Sequence, residues 1–148
     1  MQILNTTCDF TCQEAAVKGD FPVGALVVDD AGTILGMGAN LREQDNDPTA
    51  HAEIVAIRNA ASKIGNYRLD DLTMVVTLEP CGNCAGAIAQ SRIKRLVFGA
   101  FDEKAGAEGS VWDLLRDTRA IYRTEVICGF DVYECQLLMS DFFNKKRI

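Results

Sequence analysis

The sequence predicts an α/β layered domain with at least some parallel strand pairing, and three observations carry this. Runs rich in β-branched residues alternate with segments of helical periodicity along the chain. The first two runs flank a four-residue turn signal, Asp29-Asp30-Ala31-Gly32, which predicts a hairpin. The 148 residues contain no internal repeat, low-complexity stretch or linker, so residues 1–148 read as a single domain with one core.

The elements follow in order. Asp9 to Lys18 reads as a helix ended by Gly19-Asp20. Pro22 to Val28 is a buried strand, and Thr33 to Ala39 returns as the second strand of the hairpin. Asn40 to Pro48 is polar and reads as a loop. Apolar positions at Ile54, Val55, Ile57, Ala60 and Ala61 predict a helix from Thr49 to Ile64. Leu72 to Leu78 is a strand because Thr73-Met74-Val75-Val76-Thr77 is mostly β-branched. Pro80 suits the entry to a helix over Cys81 to Ser91, where its missing N–H has no helical partner to lose. Arg95 to Gly99 is a strand, and Gly106 to Gly109 is a glycine-rich loop before a short helix containing Trp112, Leu114 and Leu115. Glu125 to Cys128 is the last strand, and Val132 to Lys146 a final amphipathic helix.

Chemistry concentrates in two of these segments. The single histidine lies in His51-Ala52-Glu53, and Pro80-Cys81-Gly82-Asn83-Cys84 follows a helix and a strand later. Cys81 and Cys84 are three apart at a helix start and so share a face, while His51 and Glu53 fall in the first turn of the preceding helix. Helix N-termini favour thiolate over thiol. One imidazole and two thiolates make three zinc ligands and leave a fourth position open to water, as catalytic zinc sites do. Glu53 is then the proton carrier and not a ligand. A redox Cys-x-x-Cys would need no histidine, and a closed structural zinc site needs a fourth ligand. Cys128 or Cys135 could supply it, but each falls in a predicted core element. With Cys8 and Cys12 they read as small packing residues, because nothing points to secretion and cytosolic thiols stay reduced.

Composition bounds the partners. The net charge is −6, and it is uneven: residues 1–90 carry five basic and twelve acidic side chains, residues 91–148 ten basic and nine acidic. An acidic chain is a poor generic nucleic-acid binder, so any basic contact surface is local, with Lys145-Lys146-Arg147 its best candidate. That cluster also suits the C-terminal end of a helix dipole. No run is long and apolar enough to span a bilayer, and the first nine residues lack the basic and apolar regions of a secretion signal, so no membrane association and a cytoplasmic location are expected.

The pattern His-x-Glu followed by Pro-Cys-x-x-Cys is the signature of the zinc-dependent nucleobase deaminases. Asp47-Pro48-Thr49-Ala50-His51-Ala52-Glu53-Ile54, Asn66-Tyr67-Arg68-Leu69, Thr77-Leu78-Glu79-Pro80-Cys81 and Cys84-Ala85-Gly86-Ala87 resemble the bacterial tRNA-specific adenosine deaminases. So do Ser91-Arg92-Ile93, Phe98-Gly99-Ala100, Gly109-Ser110 and Ser140-Asp141-Phe142-Phe143, and the resemblance runs from about residue 20 to 143. It implies a three-layer α/β/α sandwich around a five-stranded mixed sheet, one zinc per subunit on His51, Cys81 and Cys84, and a homodimer. It implies hydrolysis of the wobble adenosine of an arginine tRNA anticodon loop to inosine, with Glu53 catalytic. Asn40, Val23, Ala52 and Leu78 would contact the flipped nucleoside, Asp102 and Phe143 neighbouring nucleotides, and Arg42, Lys104 and the C-terminal basic residues phosphates. The chain departs from the family at Ile121-Tyr122, where Asn-His is common, and at Phe101, where arginine is common. An RNA contact from that asparagine is therefore missing or replaced. A free-base deaminase of the same fold, acting on guanine or cytosine, shares the Asp47–Glu53 and Tyr67–Asp70 segments and suits an acidic protein. A non-catalytic partner subunit would be expected to lack Glu53, which is present.

Overall fold

The computed structural model describes residues 11–146. Five strands, β1 (Gly24–Val28), β2 (Ile34–Ala39), β3 (Thr73–Leu78), β4 (Arg95–Ala100) and β5 (Glu125–Cys128), form one sheet in the order β2-β1-β3-β4-β5. The hairpin pair β1/β2 and the pair β1/β3 are antiparallel, while β3/β4 and β4/β5 are parallel, so the sheet is mixed. The hairpin turn closes as its residues dictate. The Asp29 carboxylate accepts the Ala31 and Thr33 N–H groups at 3.0 and 2.8 Å, and Gly32 supplies the positive φ of 82°.

Alternation along the central strands builds two core faces. Ala25 and Val27, Met74 and Val76, and Leu96 and Phe98 meet the small apolar faces of α3 (Ala52–Ile64) and α4 (Gly82–Gln90). Their neighbours Leu26, Val28, Val75 and Val97 form the opposite face with Ile34 and Phe130. There α5 (Val132–Lys146) lies against β4, with the Cys135 sulfur where a side chain on Gly99 would stand. The helix over residues 11–17 (α1) lines a cleft together with α5. Burial on both faces explains why β1, β3 and β4 read as nearly continuous hydrophobic runs.

Helix α3 approaches the sheet at backbone distance. A Cβ on Gly36 would meet the Ala60 nitrogen at 2.7 Å and its Cβ at 2.8 Å, and one on Gly38 would overlap the Ala52 carbonyl and the Ala56 nitrogen. Ala52, Ala56 and Ala60 are fully buried against these glycines. Only small residues on both sides permit this spacing.

Four local expectations change. Helix α3 starts at Ala52 and not at Thr49, because the Asp47 carboxylate ties the Thr49 N–H and hydroxyl at 2.8 and 2.7 Å into a turn. The loop from Asn40 to Pro48 contains a single helical turn, α2 (Arg42–Asp45), whose Glu43 and Gln44 N–H groups point at the buried Asp20 carboxylate. The short helix expected around Trp112 to Leu115 is absent: Glu108 and Asp113 bridge, and the Gly109 N–H donates to the Trp112 carbonyl. Cys128, expected in the core, is exposed on the edge strand β5, while Cys12 and Cys135 are buried. Cys8, Asp9, Phe10 and Arg147 lie outside the described residues.

One carboxylate organises the segment from 102 to 110. Glu79, fully buried after β3, accepts the N–H groups of Asp102, Glu108 and Ser110 at 2.9, 3.0 and 3.1 Å and the Ser110 hydroxyl. Burial pushes its pKa up, but these four donors outweigh it and hold the carboxyl below its ordinary value. Gly106 leaves the room this carboxylate needs. The neighbouring Glu108 is the opposite case: both its carboxyl oxygens are buried without a hydrogen-bond partner. Burial, and then the Asp113 charge, push it up to about 8.

Two outcomes follow for stability. Gly38→Ala should lower the unfolding free energy by about 2–3 kcal/mol in denaturant titration, since α3 must move off β2; unchanged stability would show that α3 is not held at this spacing. For Glu108, the folded chain keeps a proton that the unfolded chain has lost between its ordinary value of 4.5 and about 8. Ionisation therefore opposes folding increasingly across that window. Glu108→Gln, a neutral mimic, should differ little from the parent near pH 5 and be clearly more stable near pH 8.5, the gap widening as pH rises through the window. Equal melting at both pH values would mean that Glu108 ionises freely in the folded chain.

Candidate active site

Two helix starts face each other at one end of the sheet. His51 is the N-cap of α3, with extended φ and ψ of −70° and 153°, and Cys81 is the N-cap of α4 at −77° and 177°. Sequence spacing placed both inside the first turn; the structure places them one step before it, with Glu53 and Cys84 within the turn. Neither N-cap side chain makes the usual capping hydrogen bond, so imidazole and sulfur are turned to the cluster instead. Strand β3 delivers Cys81 through Glu79 and Pro80, and the Cys81 backbone bridges to Gly106.

The three donor atoms fit one tetrahedral zinc. His51 Nδ1 stands 3.6 Å from Cys81 Sγ and 3.4 Å from Cys84 Sγ, and all three donors lie within 4.8 Å of one another. Bonds of about 2.3 Å to sulfur and about 2.0–2.1 Å to nitrogen set an S···N edge of about 3.5–3.6 Å in a tetrahedron. No other cluster of three such donors occurs among the described residues, and neither Cys128 nor Cys135 joins this one. The hydrogen bond from the Cys84 thiol, with His51, holds Cys81 down to about 3 against burial. Cys84 is pushed up by its neighbour Cys81 and by burial, and the bond to Cys81 raises His51. A zinc held here would favour the deprotonated form of both thiols.

Glu53 lies beside this cluster and is not part of it. Its carboxyl is buried, and burial pushes it up to about 7, opposed by the His51 charge. A carboxyl poised near neutrality can both take and give a proton.

A cleft of about 200 Å³ opens onto these groups. Its walls include His51, Glu53 and Cys81, and also Val23, Asn40, Ala52, Leu78 and Asp102. Five of the six residues expected to meet substrate are therefore brought together. The sixth, Phe143, lies outside the lining, on α5, half exposed. Asn40 is buried, and its Oδ1 has no hydrogen-bond partner. Arg42 lines the cleft, whereas Lys104 and Lys145 are exposed and outside its lining. At the departure Ile121-Tyr122, the Tyr122 ring lies 5.1 Å below the Arg92 guanidinium, and Ile121 is exposed. Sequence reasoning gave no role to Phe21 or Glu79. Phe21 lines the cleft from a position before Pro22 where an aromatic reads as core. Glu79 could have been found from its place beside Pro80-Cys81, where a buried carboxylate needs donors.

Residues 4–100 match the family described as the cytidine and deoxycytidylate deaminase zinc-binding region. A tRNA-specific adenosine deaminase of Haemophilus influenzae is 53% identical over 134 residues, 90% of this chain and 78% of that one. A solved structure from a study of A-to-I editing by tRNA:A34 deaminases at the wobble position superposes with a TM-score of 0.89 at 33% identity, over 93% of this chain and 99% of the other. A guanine deaminase from Bacillus subtilis superposes with a TM-score of 0.66, also at 33% identity, over 99% of this chain and 94% of the other. With the His51, Cys81 and Cys84 donors at zinc spacing, these similarities settle kinship: the chain belongs to the cytidine and deoxycytidylate deaminase zinc-binding family.

Proposed function

We propose that this protein hydrolyses the wobble adenosine of a tRNA anticodon loop, that of an arginine tRNA, to inosine with release of ammonia. The observation that carries this is the extent of the similarity to the Haemophilus influenzae relative. It spans 134 residues and so runs well past residue 100, where the zinc-binding region ends. It thus takes in part of the chain that the general deaminase signature does not.

His51, Cys81 and Cys84 would hold the zinc, which when bound makes water a nucleophile at neutral pH. Glu53 takes the proton of the attacking water and passes it to the ring nitrogen next to the amino-bearing carbon. With the carbon–oxygen bond formed, Glu53 takes the remaining hydroxyl proton and gives it to the amine; the carbon–nitrogen bond breaks, the oxygen becomes the carbonyl, and ammonia and inosine remain. Val23, Ala52 and Leu78 line the space for the base, and the unpartnered Asn40 oxygen accepts a hydrogen bond from the nucleoside. Asp102 and Phe143 meet neighbouring loop nucleotides, with Arg42, Lys104 and Lys145 near phosphates. The target must be splayed out of the loop, as enzymes acting on bases require. The reading includes a homodimer. No helix among the described residues is long and apolar enough to cross a membrane.

The zinc-loaded protein is expected to produce inosine at the wobble position of an anticodon stem-loop, read by sequencing. Glu53→Ala should keep zinc and fold, with turnover reduced roughly 10²–10⁴-fold or more. Zinc lost together with activity would instead make Glu53 a structural residue. A folded, zinc-bound wild type that leaves the stem-loop unedited but deaminates guanine or cytosine would replace the tRNA reading by the free-base one.

A further inference from the structure

Among the described residues, Phe21 is the one Phe, Tyr or Trp side chain in the wall of the catalytic cleft, and it does not stand alone. Its ring meets the Phe143 ring edge-on at 5.2 Å and the Phe142 ring at 5.7 Å, and Phe142 and Phe143 meet at 5.9 Å. Phe142 is buried and anchors the group, while Phe21 and Phe143 are 36% and 42% exposed. The chain thus holds two partly uncovered rings in fixed orientation, continuous with the mouth of the cleft and braced from below. Beyond them lies a second cleft, lined by Phe142 and Lys145.

We propose that Phe21, braced by Phe142 and Phe143, is a stacking platform for the nucleobase adjoining the extruded adenosine, and so sets the preference for RNA over a free base. This rests on the tRNA reading above. Three features support a nucleobase as the occupant. Phe21 and Phe143 are partly exposed, and single-stranded bases stack on exposed aromatic rings irrespective of sequence. The platform joins the cleft itself, so a base one nucleotide from the target reaches it without a second binding region. Lys145, which lines the second cleft together with Asp141, places a cation where the next phosphate can run. Free adenine or guanine fills only the cleft and gains nothing from the platform.

The test compares wild type, Phe21→Leu and Phe21→Trp on an anticodon stem-loop with adenosine at the wobble position. Two further stem-loops carry fluorescent 2-aminopurine at the nucleotide on either side. Zinc content and melting temperature are measured for each protein. Phe21→Leu should raise KM for the stem-loop roughly ten-fold with kcat changed less than about two-fold. It should also abolish the fluorescence change of whichever neighbouring label responds in the wild type. Phe21→Trp should restore both. A merely structural role would lower melting and kcat together and leave the label signal intact, which would overturn the proposal, as would an unchanged KM for Phe21→Leu. A wild type that makes no inosine defeats the tRNA reading, whereas an editing wild type with an indifferent Phe21 defeats the platform alone.

Discussion

The backbone-distance contact between α3 and β2 is the constraint on which the site depends. Gly36 and Gly38 face Ala52, Ala56 and Ala60, so the helix has no side-chain cushion on which to slide or roll. Its start is fixed relative to the sheet, and with it the spacing of His51 and Glu53 from Cys81 and Cys84, which are fixed in turn by β3 and α4. A donor set must be held to within a fraction of an ångström to bind metal in one geometry. The packing of α3, β3 and α4 places His51 at 3.6 Å from Cys81 and 3.4 Å from Cys84, the edges of a tetrahedron around one zinc.

Two carboxylates show how environment assigns roles. Glu79 and Glu53 are both buried, yet their pKa values move in opposite directions. Glu79 is ringed by four donors, stays ionised and shapes the backbone from Asp102 to Ser110. Glu53 has no such ring of donors, so burial dominates and brings it near neutrality. The first builds a wall of the cleft through Asp102, and the second faces into it.

That His51, Glu53, Cys81 and Cys84 come together, with most of the cleft around them, was legible in the sequence because the information is local. His51 and Glu53 are two apart, and Cys81 and Cys84 are three apart with a proline before them. The five strands and the larger helices were legible because β-branched runs and helical periodicity agree with their tertiary context. What escaped depends on partners distant in sequence. Helix α2 forms where Asp20, more than twenty residues earlier, receives its N-terminal N–H groups. The helix expected near Trp112 does not form, because Glu79 and the Glu108–Asp113 bridge take up the local backbone. Phe21 carries no local mark separating a core aromatic from one at a cleft mouth. Cys128 reads as core from its apolar strand, but β5 is the sheet edge and turns it outward.

An acidic chain that acts on RNA needs affinity from something other than a broad positive surface. With a net charge of −6, the chain as a whole does not attract phosphate, so salt-sensitive contacts are local. Arg42 at the cleft and Lys145 beyond the aromatic group provide two such points. Stacking on rings costs no counter-charge and is indifferent to the field around it. Phe21, Phe142 and Phe143 supply that kind of surface where a loop strand must turn its target base inward. A substrate held mainly by stacking and a buried pocket is selected for an unpaired, flexible strand. A duplex cannot offer its bases to such a platform, so the same physics that lets an acidic protein bind RNA also confines it to loops.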